Sequence, residues 1–308
     1  MVVPFSYAKL DQFYRELVTS ARSRGIACAI TSGMACVAFG VSEATKDCDM
    51  LCDPGAAGKF LELLGETSLD GHLPSYRGNR TPPLDARWIR GGWTSHFMWP
   101  PAESGAYLDI CGVAPRVSSP WEREIQGFYA SPHTVAEMKR TVRDKDWPFV
   151  TALGARMIEK GDERGWLHIY DEKLLRAFAE TKRPAALLKT RPVLELAVTK
   201  DTRLRTALRA EKEYWHELDR ARMKIYAKAV RRYMSAVDKA HLPPGADLAA
   251  QHELRVRCAQ KLLPQNPVRD HGVARMIAEA REALAQLINP AAMAWLPDVR
   301  EHFMLLTA

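Results

Sequence analysis

From Tyr7 to Arg24 apolar residues recur at helical spacing (Leu10, Phe13, Leu17, Val18, Ala21), which predicts an amphipathic helix closed by Gly25. Ile26 to Ile30 is a short continuous apolar run and predicts a buried first strand. A small-residue turn at Ser32-Gly33 leads into a short helix over Gly33 to Phe39, and a second turn falls near Gly40. Lys46 to Cys52 then predicts a second strand, and it carries Asp47 and Asp49. Asp53-Pro54-Gly55 reads as a turn and Ala56 to Leu64 as a helix.

Beyond this, Gly71 to Arg87 is rich in Gly, Pro and Arg and reads as a loop ending in a strand at Trp88 to Arg90. Gly91-Gly92 permits a turn before a strand at Thr94 to Met98, and Ala106 to Val113 reads as a central strand around Asp109. Ser131 is a natural N-cap and Pro132 suits a first helical turn. In the helix expected to follow, Lys139, Arg143 and Asp146 can share one face. From Trp147 onward strand signals are few. Asp171 to Glu180, Pro192 to Lys239, Ala246 to Lys261 and Val268 to Ile288 all read as helices, broken at Pro184, Pro243-Pro244-Gly245 and Pro264. No internal repeat is evident. The expected class is α+β: a mixed β-sheet region over residues 1–146, then an all-helical C-terminal domain over residues 147–308.

Residues two apart in a strand point to one face, so Asp47 and Asp49 project side by side. Adjacent carboxylates repel, and burial raises the cost, so such a pair calls for a cation. A glycine turn lets the backbone approach a polyanion, with N–H groups of the next helix aimed at it. A phosphate site facing a magnesium-holding carboxylate pair is what phosphoryl or nucleotidyl transfer requires. A lone Asp109 in an apolar strand is costly unless it is salt-bridged or faces a cation.

The order Ser32-Gly33, Met34-Ala35, Gly40, Thr45 and Asp47-x-Asp49 resembles the signature of the nucleotidyltransferase superfamily with the DNA polymerase β-like palm. It is most similar to the minimal nucleotidyltransferases and the AbiEii-type toxin nucleotidyltransferases. The resemblance covers about the first half of the chain. It implies a palm fold with Mg2+ held by Asp47, Asp49 and a third carboxylate, Asp109, which could alternatively act as base toward the attacking hydroxyl. It also implies phosphate binding at Ser32, Gly33 and Thr45. Arg143-Asp144-Lys145-Asp146 matches the family's Arg-x-Lys-Asp motif, with Lys139 before it. Lys139 would contact the triphosphate, with Arg143 beside it, and Asp146 would orient a basic side chain or the nucleotide. Two departures stand out: Glu43 where the family commonly has Arg, and Ser32 where Gly is usual.

The implied activity is magnesium-dependent transfer of a nucleoside monophosphate from an NTP to an acceptor, with RNA such as tRNA foremost. A small-molecule acceptor, as in antibiotic nucleotidyltransferases, and a non-catalytic nucleotide- or RNA-binding palm are the alternatives. A toxin–antitoxin role, with an antitoxin encoded nearby, follows from the resemblance alone.

Charge sharpens the choice of acceptor. The formal net charge is +7, and much of the excess lies between Lys182 and Lys239 (Arg183, Lys189, Arg191, Arg203, Arg205 and others). Lys224, Lys228, Arg231, Arg232 and Lys239 are diluted only by Asp238. This stretch is either a solvated helix face or a phosphate-binding surface. Tyr214, Trp215, Tyr226 and Tyr233 lie among the basic residues and could stack on bases, but their helical spacing favours core packing. No apolar run has the length of a membrane span, and Met1-Val-Val-Pro lacks the marks of a signal peptide. Cys48 and Cys52 are too widely spaced for a C-x-x-C, so a reduced, cytoplasmic setting without zinc or disulfides is expected.

Overall fold

The strands β1 (Cys28–Thr31), β2 (Asp47–Cys52), β3 (Ser75–Tyr76), β4 (Thr94–Met98), β5 (Tyr107–Cys111), β6 (Ile125–Gln126) and β7 (Tyr129–Ala130) join in one mixed sheet. The strand order is β3-β4-β5-β2-β1-β7-β6. The computed structural model describes residues 5–43, 45, 47–102, 105–114, 125–182, 184–240, 242–243 and 245–307. The readings at Met1 to Pro4, Lys46, Arg183 and Pro244 lie outside the described residues. Parallel pairing of β2 with β5 and antiparallel pairing of β1 with β2 and β4 with β5 build the centre. β4 coincides with the span expected, whereas β3, β6 and β7 are too short to leave a period in the sequence.

α1 (Tyr7–Ser23) and α3 (Ala57–Glu66) pack on the sheet. Leu10, Leu17, Phe60 and Leu64 join Ile30, Met50, Leu108 and Ile110 in the largest apolar cluster. Along β2 and β5 the deeply buried Cys48, Met50, Leu108 and Ile110 alternate with Asp47, Asp49 and Asp109. Hydrophobic burial of one strand face therefore turns all three carboxylates to the other.

Trp88 to Arg90 is not a strand. Ala86–Ile89 forms a short helix, α4, capped by the Asp85 carboxylate, which accepts from Arg87 N at 2.9 Å. Short apolar runs do not distinguish strand from buried helix, and here the cap decides.

The described elements from Trp147 onward are all helical: α6 (Trp147–Glu159), α7 (Glu172–Thr181), α8 (Val193–Val198), α9 (Leu204–Ala229), α10 (Arg231–Lys239), α11 (Leu248–Leu262), α12 (Pro267–His271) and α13 (Val273–Ala285), with 3-10 turns between. The expected helix from Pro192 to Lys239 is interrupted. Lys200 takes a left-handed φ of 56°, and the Asp201 carboxylate accepts from Arg203 N at 2.8 Å. No proline or glycine announces this break. Gly272, at φ 93°, likewise separates α12 from α13.

Apolar packing crosses residue 146. Val150 and Leu153 of α6 belong to the sheet's cluster, and Trp88 and Trp93 pack with Tyr233, Val237, Leu254 and Leu263. A Cβ on Gly91 would lie 2.9 Å from the Asn266 Cα, so glycine is what lets these segments meet. Tyr214, Trp215 and Tyr233 are buried, as the helical spacing favours, while Tyr226 is half-buried. All six cysteines are free thiols, and burial pushes the Cys36 thiol up to about 11. No described helix is long and apolar enough to cross a membrane.

Candidate functional site

Asp49 sits directly opposite Asp109 across the β2–β5 ladder, and Asp47 lies two residues earlier on the same face. Asp47 is exposed, and Asp49 and Asp109 are half-buried. Desolvation, and then the Asp109 charge, push the Asp49 carboxyl up to about 6, partly countered by a hydrogen bond from Ser32 and by the Lys139 charge. Asp109 is held from the neighbouring strands. Its Oδ1 accepts from Arg77 Nη2 at 2.7 Å and lies 2.8 Å from His96 Nδ1. His96 is the β4 residue opposite Asp109, and Arg77 follows β3. Neither stands out in the sequence, because their relation to Asp109 exists only in the register.

The turn before α2 (Ser32–Ala38) explains two small residues. Ser32 adopts a φ of 54°, a left-handed conformation that costs a non-glycine residue free energy. Gly33 is covered by Thr45: an added Cβ would lie 2.9 Å from the Thr45 Cβ. The structure thus brings Ser32, Gly33 and Thr45 together beside Asp49. Glu43 is exposed.

Lys139, Arg143 and Asp146 do meet, though not on one helix face. The helix α5 (Pro132–Lys139), capped by Ser131 Oγ accepting from Thr134 N at 3.2 Å, ends at Lys139. A loop and a 3-10 turn over Asp144–Asp146 then fold the Asp146 carboxylate back. Asp146 accepts from Lys139 Nζ at 3.2 Å and from Arg143 Nη2 at 2.7 Å. Lys139 is only 5% exposed and Asp146 is buried, so the lysine is a fixed cation, whereas Arg143 is exposed. The loop is tied to α9 by Val142 N, which donates to Asp219 Oδ2 at 3.2 Å.

The basic stretch divides into paired and unpaired members. Lys200 pairs with Glu180, Arg203 with Asp201, Arg205 with Glu172, Lys212 with Asp144, Arg220 with Glu217 and Arg222 with Asp219. Arg191 is buried and structural: its guanidinium donates to Glu211 at 2.9 Å and to the carbonyls of Trp166 and Ile169 at 2.6 and 2.8 Å. Lys224, Lys228, Arg231 and Arg232 have no ion pair among the described residues, and all are exposed.

A second polar cluster, His133, Glu137 and His168, offers ligand atoms within 4.8 Å of one another. Arg140 Nη2 lies 2.9 Å from His168 Nδ1 and 3.1 Å from Glu137 Oε1. A guanidinium can only donate, so His168 Nδ1 accepts and its proton sits on Nε2, 2.9 Å from His133 Nδ1. That tautomer leaves neither His168 nitrogen a lone pair for a transition metal. The group is a hydrogen-bond chain, buried at Glu137 and His168 and half-buried at His133, that joins α5 to the 167–168 segment.

Compared with known proteins, the chain matches no family model, and no curated protein and no solved structure matches it.

Proposed function

We propose that the chain is a magnesium-dependent nucleotidyltransferase, with residues 1–146 as its palm and the helices of 147–308 contributing the acceptor site. The observation that carries this reading is the juxtaposition of Asp47, Asp49 and Asp109 on paired strands, with the Ser32-Gly33 turn and the buried Lys139 beside Asp49. A desolvated carboxylate pushed up by its neighbour is a costly arrangement that a bound cation relieves. The oxygen-only donor set suits a hard ion such as magnesium. Asp47 and Asp49 would hold it, with Asp109 adjacent.

When bound, magnesium supplies charge neutralisation and alignment of the triphosphate for in-line attack. The chain's own groups do the rest. Lys139 Nζ, oriented by Asp146, presents a cation to the phosphates, and the Ser32 hydroxyl orients the Asp49 carboxylate. Since Asp109 Oδ1 is taken by Arg77 and His96, Oδ2 is the oxygen left for the cation or for the acceptor's hydroxyl proton.

The test is to incubate the protein with each labelled NTP, magnesium and total cellular RNA. Label should enter an RNA with the wild type and not with Asp49→Asn. Wild-type turnover in that variant would sink the assignment. A non-catalytic palm is the second reading, favoured by the Arg77–Asp109 ion pair, which already neutralises the third carboxylate. It predicts nucleotide binding without turnover in the wild type. A small-molecule acceptor predicts labelled product without RNA. The toxin role is tested by whether a neighbouring gene encodes a small DNA-binding antitoxin.

A further inference from the structure

We infer that a cavity of about 570 Å³ between β4 and the α9–α10 junction receives the 3′-terminal nucleotide of a single-stranded polynucleotide acceptor. The inference rests on the proposed transferase reading for its chemistry, but on separate observations for its ligand. His96 lines the cavity and also lies 2.8 Å from Asp109 Oδ1, so one side chain separates an occupant from the carboxylate group.

The lining is cationic on both sides and contains no acid. Arg80 stands on the loop before α4, and Arg222 and Arg231 come from α9 and α10. Asp219, behind the wall, holds the Arg222 guanidinium with Nη2 at 2.8 Å, whereas Arg80 and Arg231 have no ion pair among the described residues. Guanidiniums on opposite walls suit successive phosphates better than one compact anion. The Arg80 loop is itself built against α10. Asn79 Nδ2 donates to Asp238 at 2.6 Å, and the Tyr233 hydroxyl donates to the Thr81 carbonyl at 2.7 Å.

Between the arginines lies a surface suited to a base. Met223 is 50% exposed, and Tyr226 is held edge-on to Trp93 with ring centroids 4.8 Å apart. The Tyr226 hydroxyl is spent on the Gly91 carbonyl and the Trp93 indole N–H on the Pro264 carbonyl, so both rings are fixed. The buried Trp93 backs the partly exposed Tyr226 ring, so one aromatic surface is pre-set for a base, with the Met223 thioether beside it.

The groove on the far side of α9, of about 710 Å³, makes the contrast. It takes Arg220, Lys224, Lys228 and Arg232 but also Glu217, Asp270 and Glu279, and no residue lining it touches Asp47, Asp49 or Asp109. The basic stretch is therefore divided by helical position, with Arg231 facing the carboxylate side and Lys228 and Arg232 the other.

Two charge-matched double variants of the full-length chain separate these faces. The probe is a short single-stranded RNA with a 5′ fluorophore and a free 3′ hydroxyl, titrated without NTP by anisotropy over a salt series. Arg80→Glu with Arg231→Glu should weaken binding at least tenfold and lower the salt slope by about one for each phosphate no longer neutralised. Lys228→Glu with Arg232→Glu should change affinity less than about threefold, since its groove lies on the face of α9 away from the carboxylates. Should the first pair fail to fold by circular dichroism, Arg80→Gln with Arg231→Gln gives a smaller loss in the same order. A 3′-terminal thiouridine should crosslink to the 222–231 segment. Equal losses in both pairs, or a crosslink on α12 or α13, would overturn the assignment. RNA labelling that continues unchanged in Arg80→Glu/Arg231→Glu removes the pocket and leaves the transferase. Site-specific binding in a wild type that turns over no NTP supports the pocket and removes the transferase.

Discussion

Replacing Asp49 by Asn should make the metal-free protein more stable while abolishing transfer. The carboxyl is pushed up to about 6 from an ordinary 3.8, first by desolvation and then by Asp109. A folded-state pKa above the unfolded one means that the folded chain holds the proton more tightly. Stability is therefore fully present below about pH 4 and is lost as pH rises through about 6. Each pKa step corresponds to about 1.4 kcal/mol, giving roughly 3 kcal/mol at neutral pH, and partial solvent access reduces this to about 1–3 kcal/mol. Asparagine keeps the volume and an oxygen that can accept from Ser32, but removes the charge. Urea denaturation in EDTA at pH 7.5 should show Asp49→Asn more stable by about 1–3 kcal/mol, and the gap should close by pH 4. Adding magnesium should stabilise the wild type and leave the variant unchanged. A variant that is no more stable at pH 7.5, or a gap indifferent to pH, would refute the claim that these carboxylates strain one another.

Lys139→Ala should lower the transfer rate by about a hundredfold, comparable to removing one preorganised electrostatic interaction, while NTP affinity falls much less. Steady-state kinetics beside equilibrium binding decides it, and equal losses would reduce Lys139 to an anchor. Gly33→Ala should cost about 1–3 kcal/mol because the new methyl meets Thr45, and Thr45→Ala should restore part of that loss in urea denaturation. His168 is fully buried, and desolvation and then Arg140 hold its pKa well below the ordinary histidine range. The unfolded chain takes up that proton first, so this contribution is present above about pH 6.5 and lost below it, at up to about 1.4 kcal/mol per pH unit. His168→Gln should flatten the acid limb of a stability profile between pH 7.5 and 5.5. An unchanged limb would show that other groups carry it.

What the sequence determined by itself was local. Period and punctuation place α1, β1, α2, β2, β4, β5 and the Ser131 cap within a residue or two, because burial on one face and turn chemistry act over a few neighbours. Alternation along β2 already puts Asp47 and Asp49 on one face. The Ser32 and Gly33 turn is likewise legible, although the φ of 54° at Ser32 is not. Tertiary structure decided everything that depends on register and on long-range packing. Asp109 faces Asp49 because β5 pairs in parallel with β2, and His96 reaches Asp109 because β4 lies on its other side. Arg77 is placed by the strand just before it, which is too short to show a pattern. Trp88 sits in a helix because an aspartate cap and the packing against Tyr233 and Leu263 outweigh a three-residue strand preference. Lys139 and Asp146 meet through a loop rather than along a helix. The basic stretch, continuous in the chain, is parted onto two faces of α9 and α10 because helical rotation turns neighbouring residues in different directions.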